Sequence, residues 1–321
     1  MTAETAKTDE IAEGDRPAED ATGGASGEGK GVRRARKAAA RAAGVVSSAS
    51  PTHKVAHSGR TRQRVAVIIP AKDESRRIAG TVRSARAIPH VDLVLVVDDG
   101  SADNTQHVAR EAGAVVVRHS HNRGKAAAME TGAAVVEMRD APDRPARLLL
   151  FIDGDLGESA VNTAPLVTPV LEQKADLSIA VIPRPASAGG HGFVISLARK
   201  AIRQSTGWTP RQPLSGTRCL TREAFEAATP LAHGWGVETG MTMDLVGKGF
   251  VAVEVPCDLT HRGSGNDLRG QLHRAAQYRD VLLAINARRV RDVVDGVRER
   301  VAPRRSDPGK KHGKQQGKKQ G

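Results

Sequence analysis

The first 62 residues contain no aromatic side chain, and the last 19 contain none either. Both stretches are dominated by Ala, Gly, Lys, Arg, Glu and Asp or by Gly, Lys and Gln. Chains of that composition cannot bury enough apolar surface to offset their conformational entropy. Residues 1–62 are therefore expected to be a disordered N-terminal tail and residues 303–321 a basic disordered tail. Cysteine is scarce: Cys219 and Cys257 are the only two, without the spacing of a metal site and too few for a disulfide framework, which makes a reducing cytosol the default compartment. No apolar run reaches the roughly 18 residues of a transmembrane helix. The N-terminus opens on acids and has no apolar core of a secretory signal. No internal repeat is present. These absences predict a cytoplasmic protein whose contact with a membrane, if made, is peripheral at the inner surface.

The net charge of +13 is uneven. Residues 1–63 contribute +3 and residues 303–321 contribute +6, which leaves +4 for the middle. Basicity concentrated in tails suits solubility or an acidic partner such as anionic lipid, and no specific nucleic acid is expected. Residues 63–302 are then the folded part, long enough for a sizeable core.

Within it, short apolar runs alternate with helical patterns. Val65–Ile69 reads as a buried strand ended by Pro70, and 74–88 as a helix with Ile78, Val82 and Ala85 on one side. Leu93–Val97, Ala114–Val117 and Leu148–Ile152 read as further strands, with helices at 104–113 and 126–138 between them. Past residue 160 the pattern loosens. A strand is expected at 176–181, a helix at 193–204, a helix at 237–247, a strand at 250–255, and a long basic amphipathic helix at 267–301. Alternation of this kind predicts an α/β domain with a mostly parallel central sheet flanked by helices.

Ligands of such sheets bind beyond the carboxyl ends of the strands. Three strands end there in polar clusters: Lys72-Asp73-Glu74, Asp98-Asp99 and Asp153-Gly154-Asp155. Two carboxylates one residue apart on a tight Gly turn suit a hard divalent cation, Mg²⁺ or Mn²⁺, which also takes phosphate oxygens. Lys125 follows Gly124 at a helix start, where both the helix end and the ammonium favour an anion.

The ordered segments VAVIIPAKDE, VVDDGSADNT, NRGKAAAM, FIDGD, PLSGTRC and GWGVETG resemble the family 2 nucleotide-sugar glycosyltransferases, and within them the glucosyl-3-phosphoglycerate synthases. The resemblance covers residues 64 to about 265 and implies a GT-A, Rossmann-like nucleotide-sugar-binding domain. It divides the chain into a nucleotide-binding half (63–158), an acceptor half (159–266) and a C-terminal amphipathic helix (267–302). It implies that Pro70, Ala71 and Glu74 hold the nucleoside, that Asp99 touches the base or ribose, and that Lys125, Asp153 and Gly154 complete the donor pocket. Asp155 would ligate the metal, Asp153 would hold the ribose or a metal-bound water, and His261 would complete the metal site. Glu238 and Asp153 are the implied catalytic carboxylates. The donor is a nucleotide-diphosphate sugar, with uridine weighted over guanosine.

The acceptor pattern departs from the synthases. Their Arg and Thr are missing from Gly189-Gly190-His191-Gly192-Phe193-Val194, and Arg262-Gly263-Ser264-Gly265 lacks their Asn. The acceptor is therefore either a small phosphorylated molecule or a lipid-linked one, with peripheral membrane contact and a homodimer both compatible. Two rivals are weighed. A sugar-phosphate nucleotidyltransferase would need a Gly- and Arg-rich loop where residues 70–80 offer Gly80 alone. A non-catalytic protein binding anionic surfaces or nucleic acid would act through the basic tails, and would not need Lys125, Asp153, Asp155 and Glu238 together.

Overall fold

The computed structural model describes residues 63–182, 192–260 and 268–301, the side chains of 268–274, 292–293 and 295–301 aside. The expected tails at 1–62 and 303–321, the Gly189-Gly190-His191 loop and His261 lie outside the described residues.

The central strand, β1 (Val65–Ala71), is continuous hydrocarbon, and Val65 through Ile69 have no exposed surface. A strand apolar on both faces needs cover on both, and both covers are present. Val65, Val67 and Ile69 pack with Ile78, Val82 and Ala85 of α1 (Ile78–Arg86). Ala66 and Ile68 pack with Ala128, Met129, Ala133 and Val136 of α3 (Lys125–Glu137). Between them lie β2 (Val91–Asp98), α2 (Thr105–Glu111) and β3 (Val115–Arg118). β4 (Leu148–Phe151) then leads through a 3₁₀ segment, Gly157–Leu166, and α4 (Val167–Leu171) to β5 (Leu177–Val181). The rest is α5 (Gly192–Thr206), β6 (Arg218–Leu220), α6 (Arg222–Ala228), a 3₁₀ turn at Gly234–Gly236, α7 (Val237–Gly247), β7 (Ala252–Pro256) and α8 (Leu268–Val301).

The described strands form one sheet in the order β3-β2-β1-β4-β6-β5-β7. β1 pairs in parallel with β2 and β4, β2 with β3, and β5 with β7. β6 alone runs against its neighbours, pairing Leu149↔Leu220 with β4 and Leu177↔Leu220 with β5. The sheet is α/β and mostly parallel, as the alternation predicts. Cys219 on β6 and Cys257 after β7 are buried and unlinked, and burial pushes the Cys257 thiol up to about 11.

Three details differ from the sequence reading. Pro70 does not end β1; it lies inside it. A residue in a parallel strand turns its N–H and C=O to the same side. Ile68 O accepts from Ile152 N at 3.2 Å, so Ile68 and Pro70 both face β4, and β4 pairing stops at Ile68↔Phe151. The N–H that proline lacks falls where no strand asks for it. The first helix starts at Ile78 and not at Glu74, because the amides of residues 73–75 are taken by the next loop, as described below. β6, α4, α6 and the 3₁₀ segment before α4 are absent from the sequence reading. Three residues are too few to show a period, although Thr221 does cap α6 by accepting from Ala224 N at 3.1 Å.

The edge of the sheet away from these carboxyl ends is closed by charge. Arg147 donates to Asp92 at 2.7 and 3.0 Å and to Asp140 at 2.5 Å, and Arg222 reaches Asp140 at 3.3 Å. Both guanidiniums are buried. Asp140→Ala is expected to lower unfolding stability by about 3 kcal/mol, since removing one partner strands buried charge. Urea denaturation reads this, and a loss below about 1 kcal/mol would show that Asp92 on Arg147 and the Ala133 carbonyl on Arg222 suffice.

Candidate active site

The loops that leave β1 and β2 are stitched together. Asp73, in a left-handed turn with φ 55°, donates its N–H to Ser101 Oγ at 2.9 Å. The N–H groups of Glu74 and Ser75 go to Thr105 Oγ1 (2.8 Å) and Asp103 Oδ2 (3.1 Å). In return Asp73 Oδ1 accepts from Ala102 N at 2.7 Å. Burial would raise the Asp103 carboxyl, but the hydroxyls and amides of Thr105 and Ser75 hold it down at about 2. These bonds occupy the donors that a helix start at Glu74 would have left free. They also set Glu74 beside the following motif: a Cβ on Gly154 would stand 3.4 Å from Ala71 Cβ, 3.5 Å from Glu74 Cγ and 3.6 Å from Pro70 O. Pro70, Ala71, Glu74 and Gly154 are thus one contact cluster.

Asp98 and Asp99 are both buried. Asp98 Oδ1 accepts from Ser101 N at 2.9 Å, and Arg118 lies 3.4 Å from Oδ2. Asp99 accepts at 2.8 Å from the amides of Arg123 and Gly124 and meets His119 Nδ1 at 2.7 Å. Burial works against its charge, yet the Arg123 amide, His119 and the Gly124 amide hold its carboxyl below the usual range. Asp99 therefore anchors the 122–124 loop that delivers Lys125. Gly100 is required beside it: φ is +71°, and a Cβ would meet the backbone of His121 and Asn122 at 2.7–2.9 Å.

Lys125 is where the separate pieces meet. Its Nζ is 2.8 Å from Asp153 Oδ1 and 3.0 Å from Glu238 Oε1. Asp153 follows β4 and Glu238 sits in the first turn of α7, so one ammonium joins elements far apart in sequence. Burial would push Lys125 down, but the carboxylates of Asp153 and Glu238 hold it well above the usual lysine range. The ammonium stays charged at any working pH. Lys125 and Asp153 remain 28% exposed while Glu238 is 8% exposed, so the triplet opens to solvent on one side.

The 213–217 loop lies over this triplet. A Cβ on Gly216 would stand 2.3 Å from Lys125 Nζ and 3.0 Å from Asp153 Oδ1, so any larger residue there would have to displace the ammonium. Arg218 holds the loop from below. It donates to Ser215 O (2.7 Å), Pro213 O (3.3 Å), Glu238 O (3.0 Å) and Thr242 Oγ1 (3.1 Å), and it is buried. Burial lowers its guanidinium to about 10, and the charges of Glu238 and Asp153 oppose that fall.

The Asp153–Gly157 turn is fixed by Thr81 of α1, which donates to Gly154 O at 2.9 Å and accepts from Gly157 N at 2.8 Å. Asp155 is half-buried in this turn, and its carbonyl takes Arg77 at 3.4 Å. No group of three metal-ligating side chains occurs among the described residues, and His261, expected as a ligand, lies outside them. The chemistry of the donor set nonetheless fits a divalent cation. Asp153 and Glu238 set two carboxylates against the two cations Lys125 and Arg218, a balance that leaves a diphosphate little net positive charge unless a cation is added. Two carboxylates plus substrate oxygens are the usual ligand set for such a metal.

The structure brings together Lys125, Asp153 and Glu238 in one ion network, and Pro70, Ala71, Glu74 and Gly154 in one cluster beside it. Asp99 acts on Lys125 through the loop between them. Thr81, His119, Gly216 and Arg218 escaped the sequence reading. The PLSGTRC segment was a visible signal for the last two, but nothing in spacing says that a glycine meets a lysine far behind it in sequence.

Similarity to known proteins agrees with this geometry. The model described as Glycosyl transferase family 2 matches residues 66–227. Glycosyltransferase AglJ of Haloferax volcanii is 29% identical over 216 residues, 64% of this chain and 66% of that protein. Glucosyl-3-phosphoglycerate synthase of Mycobacterium tuberculosis is 28% identical over 212 residues, 60% of this chain and 62% of that protein. The chain thus spans a little under two thirds of the length of these relatives. A crystal structure of the M. tuberculosis synthase in complex with Mn²⁺, uridine diphosphate and glucosyl-3-phosphoglycerate superposes with a TM-score of 0.57 at 26% identity, covering 70% of this chain and 80% of that one. Another, with Mn²⁺, UDP-glucose and phosphoglyceric acid, gives 0.57 at 26%, covering 70% and 79%.

The crowding over Lys125 is testable. Gly216→Ala should cost about 1–3 kcal/mol of stability and leave the chain folded. It should also speed labelling of Lys125 by an amine-directed reagent, read by peptide mass spectrometry. An unchanged labelling rate would mean that the loop yields without moving the ammonium.

Proposed function

This chain belongs to glycosyl transferase family 2, and from that premise we propose that it moves a sugar from a nucleotide-diphosphate donor, a UDP-sugar, to an acceptor hydroxyl. The observation that supports it most is the Lys125–Asp153–Glu238 network at the carboxyl edge of a parallel sheet. That edge is where such sheets take nucleotides. That edge presents a charged ammonium, a carboxylate pair on a pinned turn and a further carboxylate at a helix start.

In this reading Pro70, Ala71, Glu74 and Gly154 form the wall against the nucleoside. Lys125 offers the incoming phosphates a fixed positive charge at the start of α3, where the helix end adds to it. Asp153 and Asp155 hold Mg²⁺ or Mn²⁺, which when bound neutralises charge as the nucleoside diphosphate leaves. Asp153 is held by Lys125, so its free face is oriented before donor arrives. Glu238 is placed by the same ammonium and by the Arg218 clamp on its own carbonyl. It meets the sugar, either accepting a hydroxyl hydrogen bond or steadying the positive character at the reacting carbon. Preplaced charge of this kind is worth more in a partly closed pocket than in water. The acceptor is a phosphorylated small molecule or a lipid-linked one.

The test is direct. Saturating UDP with Mn²⁺ is expected to stabilise the chain by about 2.7 kcal/mol at a hundredfold excess over Kd, and EDTA should remove the effect. Asp155→Ala should abolish the metal-dependent part; a UDP affinity indifferent to Mn²⁺ in the parent protein would sink the metal assignment. Glu238→Gln should lower kcat by roughly 10²–10³ while leaving UDP affinity little changed. Equal losses in binding and turnover would instead make Glu238 a structural partner of Lys125.

A further inference from the structure

The long helix α8 has two apolar sides, and the fold uses one. Val281 and Ile285 are buried against α5 and α7, with Val194, Ala198, Ile202 and Met243, and Ala284 is buried beside Gly236. Arg288 lies on the same side and is bonded to Asp244 and Gly240 O. At 3.6 residues per turn, Leu283, Ala287, Val290 and Val294 fall on the opposite side. They are solvent-facing: Leu283 is 59%, Val290 63% and Val294 42% exposed. Their 4-3-4 spacing continues in the sequence at Val297 and Val301. A stripe this regular, beside a face already docked, is not incidental surface hydrocarbon.

The charges beside the stripe identify its occupant. Among the described side chains of α8 the only acid is Asp280, engaged by Arg279 at 3.0 Å and by Trp235 N at 3.3 Å; Asp292, Asp295 and Glu299 follow in the sequence at positions outside the 4-3-4 series. Arg279 and Arg291 are exposed beside the stripe, Arg291 while also meeting Asp244, and Arg289 turns toward Gln204 of α5. A second copy of the helix laid on this seam would find Arg279, Asn286 and Arg291 at the flanking positions and no acid to pair with them. The next segment, residues 303–321, carries seven basic groups and one acidic. Apolar side chains rimmed by arginines and followed by a basic run complement an acidic, half-apolar surface. A groove of about 710 Å³ runs beside the stripe, lined by Pro230, Leu231, His233, Leu283, Ala287 and Arg291. It adjoins the Gly234–Gly236 turn from which α7 and Glu238 start.

We infer that the outer face of α8, with this groove, is a docking surface for an anionic lipid bilayer. No helix among the described residues is long and apolar enough to cross one, so the attachment is peripheral. The inference stands on the helix and not on the transferase reading: vesicle binding tests the first, UDP binding the second.

The experiment is co-sedimentation of the full chain with vesicles of phosphatidylcholine and phosphatidylglycerol, against phosphatidylcholine alone. The chain should sediment with the anionic vesicles, less strongly but still measurably at high salt, because salt screens the arginines and not the apolar stripe. The triple variant Leu283→Gln, Val290→Gln, Val294→Gln should lower the partition coefficient at least about tenfold, with an unchanged melting temperature and unchanged UDP binding. The single variant Val294→Asp, at an exposed site, gives the same direction if the triple variant folds poorly. Deleting residues 303–321 should weaken binding without removing its dependence on the stripe. Failure of the parent chain to bind anionic vesicles would overturn the inference. So would a triple variant that binds like the parent, which would assign binding to the basic tail. A dimer that the triple variant loses, without vesicle binding, would give the face to a second copy.

Discussion

One ammonium has to be in one place. Lys125 is reached by a carboxylate from the end of β4 and another from the first turn of α7, and the bare backbone of Gly216 passes directly over it. Such a network adds little to net stability, because removing these groups from water offsets most of their attraction. What it does is fix relative position. Everything around it serves that end: Asp99 holds the loop that presents the lysine, Thr81 pins the turn that presents Asp153, and Arg218 ties the covering loop to the turn that presents Glu238. Arg218 meets carbonyls and a hydroxyl and not a carboxylate, so its charge is left to act on the pocket above.

Much of the stretch from β1 to β4 was legible because its strands are largely buried and helices separate them. Val65–Ile69, Leu93–Val97 and Leu148–Ile152 are apolar runs that admit one interpretation once helices separate them. The helix at 237–247 was also placed to the residue. Sequence reading failed where local preference was overruled from a distance. Pro70 looks like a terminator until the side of the strand it faces is known. Glu74 looks like a helix start until its amide is seen to bond Thr105. β6 is three residues long and is defined by its partners, not by its own pattern.

The site divides the same way. Residues at strand ends and helix starts, such as Asp153, Gly154 and Lys125, could be found from punctuation in the sequence. Glu238 required the order of motifs, since a lone acid in an apolar helix announces nothing. Gly216, Arg218 and Thr81 act through contacts with residues far away in the chain, and no spacing rule reaches them. Asp99 was expected to touch the base or ribose, and its surroundings in the structure are the amides of a neighbouring loop.

The reversed strand β6 has a consequence in time. Its pairing joins Leu149 to Leu220, and the loop just ahead of it, not behind it, reaches the carboxyl edge. A chain growing from its N-terminus can therefore complete β1, β2, β3 and β4 with their helices while the site still lacks its cover and one of its three ionic partners. Synthesis delivers the N-terminal elements first, and pairings between residues far apart in sequence are slow to form. The lysine would spend that interval paired to Asp153 alone, and the pocket would close only when the strand that opposes all the others is threaded between β4 and β5.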